Sequence, residues 1–182
     1  MITYATKQDL AALVSFYKEI IASLEKRINY PLWTWGIHPD LDMIESAIEH
    51  NELLLFHTSD DFDTPDGYLF PFAGAAIVNT SHDGGDRPIW MGNDPEIIHL
   101  FAIHPELSGH HLADLFLEEI IEKVQSDGKD SVRLDLIDGN RPARNLYSRH
   151  GFESRGIYDY QPEKEDILTF EYMERSLAKP GD

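Results

Sequence analysis

The run IIHLFAI, Ile97 to Ile103, reads as a buried strand that stops at Pro105, makes a short turn with one glycine and starts a helix near Gly109. A strand feeding a glycine-containing turn and then a helix N-terminus gathers several backbone N–H groups and the positive end of the helix dipole at one point. Such a point binds phosphate. Read alone, the stretch is better taken as an ordinary strand, turn and helix. His104, His110 and His111 bring imidazoles to the same turn. Adjacent helical residues diverge by about 100°, and no carboxylate partner stands at ligand spacing, so no metal site is expected. Trp33 and Trp35, two apart in the irregular segment NYPLWTWGIHP, read either as anchors packed on the core or as a pocket wall.

These residues need a scaffold. At 182 residues and 42% hydrophobic content the chain suits one domain with a sizeable core. A net charge of −18 repels a nucleic-acid backbone or an anionic membrane and favours a cationic substrate, though simple solubility explains it as well. The chain has no cysteine, which excludes disulfides, a cysteine nucleophile and thiolate metal sites. The start MITYATKQDL has neither the basic residues nor the apolar run of a signal peptide, and no apolar run approaches the roughly 18 residues of a membrane span. A soluble, cytoplasmic protein is expected.

In order, the pattern gives a strand at Ile2–Thr6, a cap at Thr6 with Asp9 three residues on, and a helix to Arg27 or Ile28. A second helix follows from about Asp40 to His50, then strands at Glu52–His57 and within Leu69–Thr80, separated by the acidic loop Ser59–Gly67. Ser81–Pro95 is a polar, glycine-rich excursion before the central strand. The helix beyond Gly109 has an apolar face of Leu112, Leu115, Phe116, Ile120, Ile121 and Val124. Val132, Leu134 and Leu136 alternate as a strand, Asn140 and Pro142 open a helix of about ten residues that Gly151 closes, and Phe152–Tyr160 and Ile167–Met173 are two last strands joined by a charged loop. The expected class is α/β (α+β): one domain over 1–182, with a central mixed sheet of six to seven strands and helices on both faces.

Asn140, Ala143, Leu146, Tyr147, Gly151 and Phe152 in NRPARNLYSRHGF, with Pro105, Gly109, Leu112 and Ala113 of IIHLFAIHPELSGHHLA, resemble the signatures of the GNAT superfamily of acyl-CoA-dependent N-acyltransferases. The first matches NxxAxxLYxxxGF at every fixed position. The second matches in part: Ser108 stands where Arg or Gln is usual, and His111 where a second glycine is usual. The order of elements over nearly the whole chain is also similar.

The resemblance implies two parallel central strands that separate at their ends, with coenzyme A entering between them. Phe101 to Ile103 would pair with the pantetheine, and the N–H groups of Ser108, Gly109, His110, His111, Leu112 and Ala113 would take the pyrophosphate. Asn140 caps its helix on any reading and would in addition touch the coenzyme. Tyr147 would be the general acid for the departing thiolate, since a phenol with a pKa of about 10 is protonated at neutral pH. His99 would help deprotonate the amine, or is simply a strand histidine satisfied by its neighbours. Tyr30, Trp33 and Trp35 would wall the amine pocket. Residues 1–95 would carry acceptor-side elements and 96–175 the coenzyme-binding core.

The expected activity is acetyl transfer from acetyl-CoA, as co-substrate and without metal, to a primary amine on a small molecule or peptide. The alternative is a non-catalytic acyl-CoA-binding or regulatory module whose phosphate turn has degenerated. Either a monomer or a homodimer fits.

Overall fold

The continuous apolar runs of the chain become strands, and its 3.6-residue patterns become helices. A computed structural model describes residues 1–58, 71–81, 88–161 and 167–177. Its elements are β1 (Ile2–Tyr4), α1 (Leu10–Glu25), α2 (Leu41–Glu49), β2 (Leu53–Phe56), β3 (Gly74–Asn79), β4 (Pro95–Ile103), α3 (Leu112–Ser126), β5 (Ser131–Ile137), α4 (Arg141–Arg149), β6 (Glu153–Tyr160) and β7 (Leu168–Ser176). The seven strands form a mixed sheet in the order β1-β2-β3-β4-β5-β7-β6, in which β4 and β5 are parallel. The acidic loop Ser59–Gly67, the first residues of the Leu69–Thr80 run, the middle of the Ser81–Pro95 excursion and most of the loop between β6 and β7 lie outside the described residues. None of the described helices is long and apolar enough to cross a membrane.

Contacts divide the chain into two compact units, Met1–Val78 with Leu100–Glu119, and Asn79–His99 with Ile120–Asp182. In the first unit, Thr6 and Asp9 form the anticipated capping box around a 3-10 turn at Lys7–Asp9 that leads into α1. That helix ends at Glu25, short of the expected Arg27 or Ile28. Asp40 caps α2 by accepting the Met43 N–H at 2.8 Å. Leu13, Phe16, Tyr17, Ile20 and Ile21 of α1 and Ile44, Ala47 and Ile48 of α2 join the β2 and β3 side chains in one core, which also takes in Trp33, Leu100 and Ala102.

The helix after the glycine turn starts at Leu112, not near Gly109. A 3-10 turn at Pro105–Leu107 and left-handed backbone at Gly109 and His111 hold the chain out of helical conformation until then. Leu115, placed on the apolar face by spacing, is 49% exposed, whereas Leu117 is fully buried. Phe116 stacks on Phe56 and on Phe101, at 5.0 Å in each case.

In the second unit, Pro95–Ile98 of β4 pair with Ser131–Leu134 of β5. The recorded register stops there, although β4 runs on to Ile103 and β5 to Ile137. β5 is antiparallel to β7 along its whole length, and β7 to β6. Glu174 of β7, fully buried, accepts from the Arg133 and Arg155 guanidiniums and from the Met91 and Gly92 N–H groups. A buried carboxylate is tolerated only with such a complete set of donors. Its effect is to fix the segment that enters β4.

Candidate active site

The turn between β4 and α3 is shaped by its backbone. Ser108 is extended, Gly109 has φ +91° and His111 φ +58°. A β-carbon at Gly109 would have nothing within 4 Å, so glycine is required there by conformation and not by space. His111 occupies the left-handed region with a side chain that costs it roughly 1–2 kcal/mol relative to glycine. The His111 carbonyl accepts the N–H groups of Asp114 and Leu115, making it the residue from which the helix starts. Its ring is 87% exposed, with Nδ1 3.7 Å from Asp114. The N–H groups of Leu112 and Ala113 belong to the first turn of α3, which has no preceding helical carbonyls to use. The turn thus retains the means to hold an anion despite Ser108 and His111.

Two contacts that spacing did not reveal hold the strand leading into this turn. Leu100 has φ +50°, a local irregularity inside β4, and its carbonyl accepts the Tyr17 hydroxyl at 2.9 Å. His104, 3% exposed, donates from Nε2 to Glu19 at 3.0 Å, and its N–H donates to the Ala73 carbonyl at 2.9 Å. Burial pulls the Glu19 carboxyl upward, but hydrogen bonds from His104 and Ser15 together hold it below its usual value. Phe101 and Ile103 follow Leu100 as half-buried residues. Tyr17 looked like one more member of an apolar helix face, and Leu100 carries no sequence signal for its conformation.

On the second unit, His99 of β4 donates from Nε2 to the Ser81 carbonyl at 3.0 Å. In a neutral ring the lone pair is then on Nδ1. Asn140 caps α4 as anticipated, its Oδ1 accepting the Ala143 N–H at 3.3 Å, and Gly151 takes φ +79° past the helix end. Tyr147 is buried beside Phe152. Burial, and after it the Asp135 carboxylate, push the Tyr147 phenol well above its ordinary value. The hydroxyl is therefore protonated throughout the physiological range, the state that a proton donor needs. Asp135 was missed; its signal was an acidic residue between two leucines in the strand VRLDLI.

Tyr30, Trp33 and Trp35 lie in the first unit. Trp33 is only 9% exposed, sits edge-on to Tyr17 at 6.0 Å, and has its N–H and carbonyl both bonded by the Asn29 side chain. Tyr30 and Trp35 are half-buried, and the Lys18 ammonium lies 5.1 Å from the centre of the Trp35 ring. Among the described residues no group of three or more His, Cys, Asp or Glu could hold a metal ion.

Comparison with known proteins follows the same lines. The family model described as "Acetyltransferase (GNAT) family" matches residues 16–152. A mycothiol acetyltransferase of Brachybacterium faecium is 32% identical over 71 residues, 39% of this chain and 21% of that protein. A Bacillus subtilis protein provisionally named a ribosomal protein bS18 alanine N-acetyltransferase is 28% identical over 101 residues, 54% of this chain and 67% of that one. The chain thus spans about a fifth of the first relative and two thirds of the second. The structure of yncA, provisionally named an acetyltransferase, from Salmonella typhimurium with its cofactor acetyl-CoA aligns with a TM-score of 0.65 at 19% identity, over 100% of this chain and 96% of that one. It shares the fold.

Proposed function

Because the chain belongs to the acetyltransferase (GNAT) family, we propose that it transfers an acetyl group from acetyl-CoA to a primary amine by direct attack. One observation carries this reading: the helix capped by Asn140 holds Tyr147 buried, protonated and within the field of Asp135. The amine nitrogen attacks the thioester carbonyl, the C–N bond forms and the C–S bond breaks. The Tyr147 hydroxyl gives its proton to the departing thiolate, and the proton lost by the amine passes to His99 or Asp135 and on to solvent, from which Tyr147 regains one. The products are the acetamide and free CoA. No covalent enzyme intermediate is needed, which accords with a chain without cysteine.

The remaining roles are those the resemblance implies, and the local geometry of each unit supports them. The backbone from Ser108 to Ala113 receives the pyrophosphate at the start of α3, and the strand segment Phe101–Ile103 pairs with the pantetheine. The Phe101 N–H, following the left-handed Leu100, is the donor for the oxyanion. Tyr30 and Trp35 form the acceptor wall, on a segment anchored by the buried Trp33 and its bonds to Asn29. Amine acceptors are also what the name of the Bacillus relative supports. The strained His111 favours one second reading, a module that binds acyl-CoA without turnover. Calorimetric titration with acetyl-CoA and free CoA, followed by an amine panel, tests both. Binding with turnover supports acetyl transfer, binding alone supports the module, and no binding removes both.

A further inference from the structure

His104 follows directly on β4, and its polar groups tie the start of the next turn to the first unit. Its N–H donates to the Ala73 carbonyl at 2.9 Å, and its carbonyl accepts the Leu107 N–H at 2.9 Å. Its ring is 3% exposed and lies 6.1 Å from the Phe16 ring. Nε2 stands 3.0 Å from Glu19 Oε2, and Nδ1 stands 3.4 Å from the Glu106 backbone nitrogen. These two partners demand opposite roles. Glu19, half-exposed and bonded as well by the Ser15 hydroxyl at 2.8 Å, is a carboxylate at neutral pH and only accepts. A backbone N–H only donates. The neutral imidazole that satisfies both carries its proton on Nε2 and its lone pair on Nδ1.

The turn beyond needs such an anchor. Ser108, Gly109, His110 and His111 are exposed, Gly109 and His111 are left-handed, and a β-carbon at Gly109 would have nothing within 4 Å. Packing around Gly109 therefore does not fix where this backbone points. Its direction is inherited from buried residues on either side, Leu107 before it and Leu112 after it. Leu107 ends the 3-10 turn that His104 caps. Pro105 has no N–H, so the Glu106 N–H that Nδ1 accepts is the first donor of that turn. Behind His104 the strand end is fixed, because a β-carbon at Gly74 would lie 2.8 Å from the Ala102 carbonyl oxygen and 2.7 Å from the Ile103 side chain. The imidazole is the link between that fixed end and the exposed turn.

We propose that His104 is a positioning residue for the coenzyme: anchored on Glu19 as the neutral Nε2–H tautomer, it caps the turn at Glu106 and so aims the backbone N–H groups from Gly109 to Ala113 at the pyrophosphate. It acts through the turn and touches neither ligand nor reacting atoms. The inference rests on the reading of that backbone as the pyrophosphate site. Glu19 has a part of its own, because its carboxylate selects the tautomer. Without it the ring proton is free to move to Nδ1, where it meets the Glu106 N–H and the cap is lost.

Calorimetric titration with free CoA tests it in the wild type and three variants. Asparagine puts an acceptor oxygen where Nδ1 stands and loses the reach to Glu19, whereas glutamine puts an N–H where Nε2 stands and loses the acceptor. His104→Asn should keep CoA affinity within about twofold, although the void it leaves in a buried site lowers stability. His104→Gln should weaken affinity by about fivefold, the size of a lost cap, and Glu19→Ala, at a half-exposed position of α1, by about threefold or more. Hydrogen exchange at the Glu106 amide of the free protein should quicken in His104→Gln and Glu19→Ala and not in His104→Asn. Equal affinity in His104→Asn and His104→Gln, or affinity that falls in step with stability across the variants, makes His104 a packing residue and overturns the proposal. Glu19→Ala that binds CoA as tightly as the wild type overturns it without any substitution in the core. So does quickened exchange at Glu106 with CoA affinity unchanged. Wild-type protein that binds no CoA removes the pyrophosphate reading itself, and this proposal with it.

Discussion

The Tyr17 hydroxyl of α1 donates to the Leu100 carbonyl of β4 at 2.9 Å, and Leu100 is a strand residue in the left-handed region. The helix thereby holds the strand in a conformation that costs a non-glycine residue roughly 1–2 kcal/mol. Tyr17→Phe deletes only the donor and leaves the carbonyl buried without it. Chemical denaturation should show a loss of about 1–3 kcal/mol, and the KM for acetyl-CoA should rise because Phe101 follows Leu100 directly. Unchanged stability together with unchanged KM would mean that the hydrogen bond does not hold the strand.

Trp33 and Trp35 should separate cleanly. Trp33 is part of the core, so Trp33→Ala should cost about 3–5 kcal/mol and depress every activity together. Trp35→Ala removes a half-buried ring over which Lys18 lies, and it should raise the KM for the amine while leaving stability and acetyl-CoA affinity nearly unchanged. Equal effects of the two substitutions on stability would make Trp35 a second anchor.

The turn residues give opposite signs. His111→Gly relieves left-handed strain at φ +58° and should leave acetyl-CoA binding equal or tighter, with stability unchanged or slightly raised. Gly109→Ala places a β-carbon at φ +91°, where space is available but the conformation is unfavourable, and calorimetry should show weaker coenzyme binding. Weaker binding in His111→Gly would show that the imidazole itself contacts the phosphates.

Much of this was legible in the sequence, for physical reasons. Thr6 with Asp9, and Asn140 before Pro142, are local capping signals whose meaning depends on a few neighbouring residues, and both occur as read. Strand periods placed β4 and β5, and their parallel pairing followed from the family resemblance. The irregularity at Leu100 and the Glu19–His104 contact were not legible, because each depends on residues far apart in the chain, whereas the sequence offered Trp33 and Trp35 alike as core anchors or pocket wall and did not say which of the two is buried. Leu115 was misjudged because its spacing was read loosely: at about 100° per residue it falls on the flank of Phe116 away from Ile120, Ile121 and Val124, where Leu117 is buried on their side instead. Asp135 was visible as a residue, but its relation to Tyr147 needs α4 packed beside β5.

Acid should destabilise the fold in part through Glu174. Burial alone would raise its carboxyl, but the Met91 and Gly92 N–H groups, Arg133 and Arg155 outweigh it and hold the value below normal. The folded state therefore binds this proton less readily than the unfolded one. The stability it contributes is fully present above the unfolded carboxylate range, near pH 4–5, and is lost as pH falls through the lower folded value. Glu174→Ala should cost about 3–5 kcal/mol at neutral pH, because it leaves the buried Arg133 guanidinium without its carboxylate, and should flatten the stability–pH curve below about pH 5. A variant curve parallel to the wild-type curve in acid would assign the acid limb to other carboxylates.

Amine-dependent release of thiol from acetyl-CoA, compared between the wild type and Tyr147→Phe, tests the central claim most directly. The chain has no cysteine, so every thiol detected comes from CoA. The account predicts one thiol per acetamide formed in the wild type. In Tyr147→Phe it predicts a kcat lower by about 10²-fold or more, with acetyl-CoA affinity changed by no more than about threefold, because only a proton donor has been removed. Wild-type protein that binds acetyl-CoA yet releases no thiol with any amine, or a Tyr147→Phe variant that turns over at the wild-type rate, would contradict it.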